Sequence, residues 1–228
     1  MTRMEGGNSF NKLLLLPLFQ GLSMSELTHI VGHTRLEFRK YHDRDEVVTE
    51  GQGNMRMYLM TDGTLLQHTE AIDHSYAVQE EVTAPALLQA EHLFGLYHRY
   101  TKSYRSKGQS SFIIIDKQEM LKLSKSYMIF HINLLNLIST QCQKALEGPW
   151  RKQPLTVKER VIDFMQQHCS HPAGWKCFYI KMETMAQAIN ETRAKVSVVL
   201  RQLRSKGLII MRRGVIIVPR LELVLQEK

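Results

Sequence analysis

The chain has 228 residues, of which 43% are hydrophobic and 23% are charged, a composition typical of a globular protein rather than a disordered or fibrous one. Its three cysteines are too few for a disulfide framework, and no apolar run approaches the roughly 20 residues that span a bilayer. We therefore expect a cytoplasmic protein with reduced thiols and no membrane partner, and the formal net charge of +8 favours a polyanionic partner such as nucleic acid.

The first part of the chain is predicted to be mostly β-structure. After a helical opening that ends near Val31, short segments rich in β-branched and aromatic residues are separated by Asp, Gly and Asn turns. This spacing predicts a small antiparallel sandwich or roll. The predicted strands are residues 35–41, 46–49, 55–60, 64–68, 76–82 and 112–115.

A long helix is predicted next, from about Ser124 to Glu147, because apolar residues recur there at intervals of three and four. They occupy two faces, so that one face can cover the β-structure and the other can pack against a second copy of the chain. We predict a homodimer on this helix, and the alternative is a helix buried on all sides within a monomer. The predicted dimer residues are Met128, His131, Leu135, Ile138 and Cys142.

The basic residues are concentrated in the last third of the chain. Residues 1–150 carry 15 Lys and Arg against 16 Asp and Glu, whereas residues 151–228 carry 15 against 6. Such asymmetry predicts domains with different partners, and Gly148-Pro149-Trp150, followed by Pro154, supplies a hinge. The predicted segments are a β-roll at 1–123, a dimerisation helix at 124–148 and a basic C-terminal domain at 149–228.

The C-terminal segment has the pattern of a helix-turn-helix. Thr156 and Glu159 have the spacing of a capping box that begins a first helix. Further along, Ala186 is small enough for two helices to cross closely, and Asn190, four residues later, tolerates the positive φ of a tight turn. Thr192 is a suitable N-cap for the second helix. The pattern therefore predicts two short helices joined by a sharp turn.

The second of these helices has a basic surface that fits the major groove of DNA. Arg193 is our first candidate for base readout, bidentate to guanine O6 and N7, and Ala194, Ser197 and Val198 share that surface. A hairpin with Arg212-Arg213-Gly214 at its tip follows, which makes the module a winged helix. Contacts to the DNA backbone are predicted for Lys181, Thr192, Lys195, Arg201, Arg204, Lys206, Arg212 and Arg213.

The order of these features resembles the cyclic-AMP receptor protein and fumarate-nitrate regulator (CRP/FNR) family of bacterial transcription factors. The resemblance rests on residues 18–23 in the entry helix, on turns at Glu50-Gly51 and Gly63, on Leu93-Phe94-Gly95, and on the helix from Ser124. It implies an α+β fold with an antiparallel β-roll of the cyclic-nucleotide-binding type (a double-stranded β-helix), a dimerisation helix and a winged helix-turn-helix. It also implies a homodimer on a pseudo-palindromic operator, with RNA polymerase as a partner if the protein is an activator.

The effector cassette departs from the family pattern. Cyclic-nucleotide-binding members place a Glu directly after Phe-Gly and an Arg some ten residues further on, whereas Leu96 follows Phe94-Gly95 here. Tyr100 takes the expected arginine position if Arg105 matches a downstream family arginine, and Arg99 is one residue out of register. We therefore predict weak or no cyclic-nucleotide binding and an unknown effector. The degenerate cassette comprises Phe94, Gly95, Leu96, Arg99, Tyr100, Thr101 and Arg105.

The recognition helix departs from the family pattern too. Members that read a TGTGA-type half-site use Arg, then Glu, then a second Arg one turn further on. Here Ala194 and Val198 follow Arg193 at those positions, and neither side chain can accept a hydrogen bond from cytosine N4. The resemblance therefore implies an operator that differs from that half-site.

No cofactor, metal or catalytic site is predicted. Three cysteines cannot supply the four thiolates of an iron-sulfur cluster, and His168, Cys169, His171 and Cys177 match no standard zinc spacing. The sequence contains no Gly-rich phosphate loop, nucleophile elbow or zincin motif, so we do not expect an enzyme. Two alternatives stay open: a regulator that still binds a cyclic nucleotide or other small effector in its roll, and a regulatory subunit that does not bind DNA.

Overall fold

The structure, a computed structural model, describes residues 12–147 and 154–228. The predicted hinge at Gly148-Pro149-Trp150 lies outside those residues. The chain divides into two compact units. The first, which we call the roll unit, comprises Met1–Leu65 and Val82–Glu147. The second, which we call the winged-helix unit, comprises Leu66–Glu81 and Gly148–Lys228. This division differs from the predicted segments, because residues 66–81 pack with the C-terminal residues and not with the roll.

The roll unit consists of antiparallel strands followed by two helices, which confirms the predicted α+β class. Its central strand, β6 (Ser103–Asp116), pairs with β1 (Leu36–Tyr41) from Leu36 opposite Ile115 to Tyr41 opposite Ser110, and also with β2 (Glu46–Val48). The elements that begin in this unit are a 3-10 helix at Pro17–Phe19, α1 (Met24–His33), β1 (Leu36–Tyr41), β2 (Glu46–Val48), β3 (Arg56–Glu70), β5 (Ala86–Leu88), a 3-10 helix at Ala90–His92, β6 (Ser103–Asp116), α2 (Lys117–Ser126) and α3 (Met128–Glu147).

Strand β3 replaces two predicted strands. Residues 55–60 and 64–68 were expected as separate segments, but the strand continues through Gly63 at φ +98°. A Cβ atom at Gly63 would lie 2.5 Å from the carbonyl oxygen of Gln109 and 2.7 Å from Cα of Ser110. The close approach of β3 to β6 therefore requires glycine at this position.

The predicted helix from Ser124 is two helices. Helix α2 ends at Ser126, its C-cap Tyr127 has an extended backbone at φ −127° and ψ 107°, and α3 begins at Met128. Side-chain hydrogen bonds surround the break: the Tyr127 hydroxyl lies 2.6 Å from Nδ1 of His29, and Oγ of Ser124 lies 2.7 Å from Nδ1 of His131. Apolar periodicity runs on both sides of Tyr127, so it did not reveal the break.

The winged-helix unit packs its helices against an antiparallel sheet, in which the strand order is β4 (Tyr76–Thr83), β7 (Lys176–Ile180), β9 (Val215–Val218) and β8 (Ile210–Arg212). Its apolar core includes Phe178, Leu200 and Val218, all with no exposed surface. Apart from the end of β3, its elements are β4 (Tyr76–Thr83, shared with the roll unit), α4 (Val157–Gln167), β7 (Lys176–Ile180), α5 (Met182–Ala188), α6 (Arg193–Ser205), β8 (Ile210–Arg212), β9 (Val215–Val218) and α7 (Leu221–Leu225).

A buried ion pair joins β4 to β7. The strands pair from Tyr76 opposite Ile180 to Glu80 opposite Lys176, and in the last pair Nζ of Lys176 donates to Oε1 of Glu80 at 2.8 Å. The Glu80 side chain is 1% exposed and the Lys176 side chain is 0% exposed. Glu80 also accepts hydrogen bonds from Nε2 of Gln67 and from the backbone amide of Ser170. The hairpin of residues 66–81 is therefore an integral part of the winged-helix unit.

Candidate nucleic-acid interface

The turn of the helix-turn-helix has the predicted local geometry. Asn190 adopts φ +53°, in the left-handed region that Asn enters more readily than most side chains. Ala186 is 4% exposed, and its carbonyl accepts a hydrogen bond from the amide of Glu191 at 2.9 Å. Thr192 caps α6, because its side chain accepts from the amide of Lys195. The turn therefore fixes the direction of α6 relative to α5.

Helix α6 has one apolar face and one basic face. The apolar face lies in the core and consists of Val196, Val199, Leu200 and Leu203. On the other face Ser197 is half-buried, and the exposed residues are Arg193, Ala194, Lys195, Val198, Arg201, Gln202, Arg204 and Ser205. Because only the apolar face is needed for packing, the cations of this helix are available to a polyanion.

Arg193 is the first residue of α6, and it has an acidic neighbour. Its Nε lies 3.1 Å from Oε1 of Glu183 in α5, and the two side chains are 67% and 58% exposed. Val198 is 46% exposed on the same helix, where its methyl groups could contact a thymine methyl group. The residues predicted for base readout thus include one paired arginine and one exposed apolar side chain.

Glu191 links the turn to two helices. Its carboxylate accepts hydrogen bonds from Nζ of Lys195 and from Nη1 of Arg160, each at 3.0 Å, and its side chain is 10% exposed. The hydrogen bond from Lys195, together with the positive charges of Lys195 and Arg160, holds the pKa of Glu191 below its usual value. Lys195, a predicted phosphate contact, is therefore paired with a carboxylate in the free protein.

The other predicted phosphate contacts lie at three places in the winged-helix unit. Lys181 is exposed immediately before α5. Arg212 and Arg213 are exposed at the tip of the β8–β9 hairpin, where Gly214 takes φ +70°. On α6, Nε of Arg201 donates to the Ser197 carbonyl at 3.3 Å, and after the helix Lys206 pairs with Glu227 at 2.6 Å.

The predicted effector cassette has its own internal contacts. Leu96 follows Phe94-Gly95 in place of a carboxylate, and its side chain is 93% exposed. Nη1 of Arg99 donates to the carbonyl of Gly51 at 2.7 Å, and Nη2 of Arg105 pairs with Glu46 at 2.9 Å. The amide of Thr101 donates to Oε1 of Gln89 at 2.8 Å. Each of these polar groups is therefore engaged by the protein itself.

Aromatic rings fill the interior of the roll beside this cassette. Tyr100 is 2% exposed, its hydroxyl donates to the carbonyl of Arg56 at 3.0 Å, and burial raises its pKa. The Tyr58 ring lies edge-on to the rings of Tyr100 and Phe112, with centroids 6.3 and 6.2 Å apart. Tyr41 contacts Phe112 in the same way at 5.4 Å. Tyr100, which takes the expected arginine position if Arg105 matches the downstream family arginine, therefore lies in the core of the roll.

Helix α3 presents apolar side chains on two sides. Phe130 and Leu134 are buried in the roll unit. Of the five predicted dimer residues, His131 and Ile138 are half-buried, whereas Met128, Leu135 and Cys142 are exposed. Ile132 and Leu146 are also exposed on this helix.

Among the described residues, no group of three or more His, Cys, Asp or Glu side chains is placed to hold a metal ion. Nδ1 of His168 lies 2.7 Å from the Phe164 carbonyl, and Cys177 is buried with a pKa raised by burial. Within the same residues, no helix has the length and apolarity needed to cross a membrane.

Three charged residues form ion pairs within the winged-helix unit that the sequence did not predict, namely Glu80, Lys176 and Glu183. Glu183 pairs with Arg193, ten positions further along the chain, and Glu80 pairs with Lys176 across 96 positions. Lys176 did offer a signal, since a lysine between Trp175 and Cys177 in a short apolar strand requires a buried partner. The sequence does not indicate which acidic residue that partner is.

Comparisons with known proteins agree with this architecture. Residues 159–224 match the family model described as the Crp-like helix-turn-helix domain. No curated protein matches the chain. Similar solved structures include the catabolite activator protein of Thermus thermophilus, which is 18% identical, with a TM-score of 0.50 over 92% of this chain and 97% of that one.

Two further structures show the same likeness. The c-di-GMP responsive global regulator CLP of Xanthomonas campestris is 18% identical, with a TM-score of 0.50 over 86% of this chain and 99% of that one. A proposed transcriptional regulator of the crp/fnr family from Eubacterium rectale is 14% identical, with a TM-score of 0.52 over 93% and 97%. The chain thus has the fold of CRP/FNR-type transcription regulators, and its residues 159–224 match the Crp-like helix-turn-helix domain.

Proposed function

We propose that the chain is a cytoplasmic DNA-binding transcription regulator that binds a pseudo-palindromic operator as a homodimer. The observation that carries this proposal is helix α6, whose buried face is wholly apolar while its exposed face bears four cations. An acidic or neutral face would pack equally well, so the cations are not needed for folding. A basic helix held by a helix-turn-helix fits the major groove and its phosphates.

The exposed residues divide into two groups by the contacts that they support. Arg193 reads a guanine through its paired N–H groups, and Ala194, Ser197 and Val198 contact neighbouring base edges, including thymine methyl groups. The backbone group neutralises phosphates and supplies affinity that depends on salt but not on sequence, and it consists of Lys181, Thr192, Lys195, Arg201, Arg204, Arg212 and Arg213.

A second copy of the chain supplies the second half-site contact. Met128, Leu135 and Cys142 are exposed along α3, and a matching α3 from another protomer would cover them. Leu135→Glu should therefore convert the dimer to a monomer in light scattering, whereas Asn136→Glu, at an exposed polar position next to it, should leave the dimer intact. Equal molecular masses for wild type and Leu135→Glu would refute the use of this face.

DNA binding is tested by fluorescence anisotropy on random duplexes over a range of salt concentrations. We expect a steep fall in affinity with salt, at about 0.9 logarithmic units per phosphate contact and decade of salt. Selection from random DNA should return a site with two-fold symmetry. Lys181→Ala should weaken all sequences about equally, whereas Arg193→Ala should cost ~1 to 3 kcal/mol and relax one base position. Salt-independent or undetectable binding would refute the proposal.

The effector of this regulator is proposed not to be cyclic AMP. The carboxylate and the cation that the resemblance requires are replaced by exposed Leu96 and buried Tyr100. Calorimetric titration with cyclic AMP should show no binding, and c-di-GMP is a useful second ligand because the similar CLP protein is described as responsive to it. Micromolar affinity for cyclic AMP, equivalent to about −8 kcal/mol, would overturn this part of the proposal. RNA polymerase is a further partner if the protein activates transcription.

A further inference from the structure

We infer that Glu183 is a specificity-determining residue, which positions the Arg193 guanidinium for base readout. The inference rests on the proposed function, because it assigns a role within the same DNA contact. Its starting observation is the ion pair in which Nε of Arg193 lies 3.1 Å from Oε1 of Glu183. Glu183 belongs to α5 and Arg193 to α6, so the pair joins the two helices of the helix-turn-helix.

The chemistry of arginine allows Glu183 and a guanine to be bound at once. A guanidinium has five N–H groups, and the two that point forward from the terminal nitrogens lie at the opposite end from Nε. A carboxylate near Nε therefore leaves the forward pair free for guanine O6 and N7, which require two parallel donors. Lysine, with a single compact ammonium group, could not serve both partners in this way.

The position of Glu183 is unfavourable for general DNA affinity. It is 58% exposed beside the basic face of α6, where a negative charge repels nearby phosphates. An arginine side chain with several rotatable bonds would otherwise adopt many orientations and pair with phosphates as well as bases. A carboxylate at this position thus reduces affinity for all DNA while favouring one orientation of Arg193, and this combination favours the site that has guanine at the matching position.

The test compares a cognate duplex, obtained by selection, with the same duplex changed at the guanine that Arg193 reads. Discrimination is the ratio of the two dissociation constants. Glu183→Ala should tighten binding to the changed duplex a few-fold, because one negative charge is removed, and should lower discrimination about threefold to tenfold. Glu183→Gln, which keeps an acceptor oxygen without the charge, should retain part of the discrimination.

Gln187→Lys is the matched control. Gln187 is exposed on α5, one turn beyond Glu183, and this substitution changes the net charge by the same +1. It should tighten binding to both duplexes by the same factor and leave discrimination unchanged. If Glu183→Ala also acts equally on both duplexes, its effect is one of charge alone and the positioning role is wrong.

A double-variant comparison separates this inference from the proposed function. In an Arg193→Ala background, Glu183→Ala should no longer alter discrimination, because no guanidinium remains to be positioned. If Arg193→Ala itself leaves discrimination unchanged, the base readout under the proposed function fails, and the role of Glu183 fails with it. If Arg193→Ala abolishes discrimination but Glu183→Ala does not reduce it, only the role of Glu183 is refuted. Thermal unfolding of each variant verifies that the unit is folded.

Discussion

The buried pair between Glu80 and Lys176 provides the most demanding test of the structure. The Lys176 side chain is 0% exposed, and its Nζ lies 2.8 Å from Oε1 of Glu80, which is its anionic partner. Glu80→Ala would leave a buried ammonium without a carboxylate, and it would remove an acceptor from Gln67 and from the Ser170 amide. Removing one partner of a buried ion pair costs about 3 to 5 kcal/mol.

That magnitude is large for a domain of this size. Typical unfolding free energies are about 5 to 15 kcal/mol, so Glu80→Ala should remove a substantial fraction of the stability of the winged-helix unit. Replacing both residues by apolar ones of similar length, as in Glu80→Leu with Lys176→Met, removes the uncompensated charge. The double variant still lacks the acceptor for Gln67 and for the Ser170 amide, so it should recover the loss due to the unpaired charge but remain about 1 to 3 kcal/mol less stable than wild type.

Tryptophan fluorescence during urea unfolding measures this effect. Trp175 is half-buried immediately before β7, so in a Trp150→Phe background its emission reports on the winged-helix unit. Lys206→Ala is the control, because its pair with Glu227 has a 54% exposed lysine and should contribute less than about 1 kcal/mol. A loss for Glu80→Ala as small as that of the control would refute the burial of the pair and the assignment of residues 66–81 to this unit.

Three further predictions concern single positions. Gly63→Ala should lower the stability of the roll unit by more than about 1 kcal/mol in thermal unfolding, because its Cβ would meet the Gln109 carbonyl; an unchanged midpoint would contradict this. Asn190→Ala should cost about 1 kcal/mol, and Asn190→Gly should cost nothing, since only the former strains the left-handed turn. The hydrogen bond from Lys195 lowers the pKa of Glu191 in the folded protein. The ion pairs of Glu191 therefore stabilise the protein above the usual carboxyl pKa of about 4.3, and this stabilisation is lost as the pH falls through the lower folded pKa. Glu191→Gln should reduce the dependence of the unfolding free energy on pH in that range.

The features that the sequence predicted well are those held by neighbours in the chain. Thr156 and Glu159 form the expected reciprocal capping box, and Thr192 caps α6 by the same short-range contact. Asn190 takes the positive φ that its position in the turn indicated. Each of these outcomes depends on contacts within about four residues, which a pattern of residue types can specify.

The features that the sequence did not predict depend on contacts between distant residues. The break at Tyr127 coincides with a hydrogen bond to His29, 98 positions away. Glu80 and Lys176 meet because two strands happen to pair in one register, and no periodicity within either strand specifies that register. Tyr100 was recognised as a departure in the cassette, but its place in the aromatic core follows only from its contacts with the surrounding strands.

The assignment of residues 66–81 changes what the net charge means. In the sequence, residues 151–228 carry a net charge of +9 and residues 1–150 carry −1, a difference that by itself points to the C-terminal part as the partner of a polyanion. The hairpin contains four acidic residues and no Lys or Arg, so the winged-helix unit has 15 Lys and Arg against 10 Asp and Glu, a net +5, and the roll unit has a net +3.

The total charge of a unit therefore does not distinguish a DNA-binding part from its neighbour in this protein. What distinguishes it is where the charges lie. Glu80 is buried and paired with Lys176, so it contributes little to the electrostatic potential at the surface. Arg201 and Arg204, in contrast, are exposed on α6, whose other face packs in the core. Because phosphates respond to the local potential, removing a buried pair should leave DNA affinity nearly unchanged at constant fold, and removing one exposed α6 cation should lower it and reduce its salt dependence.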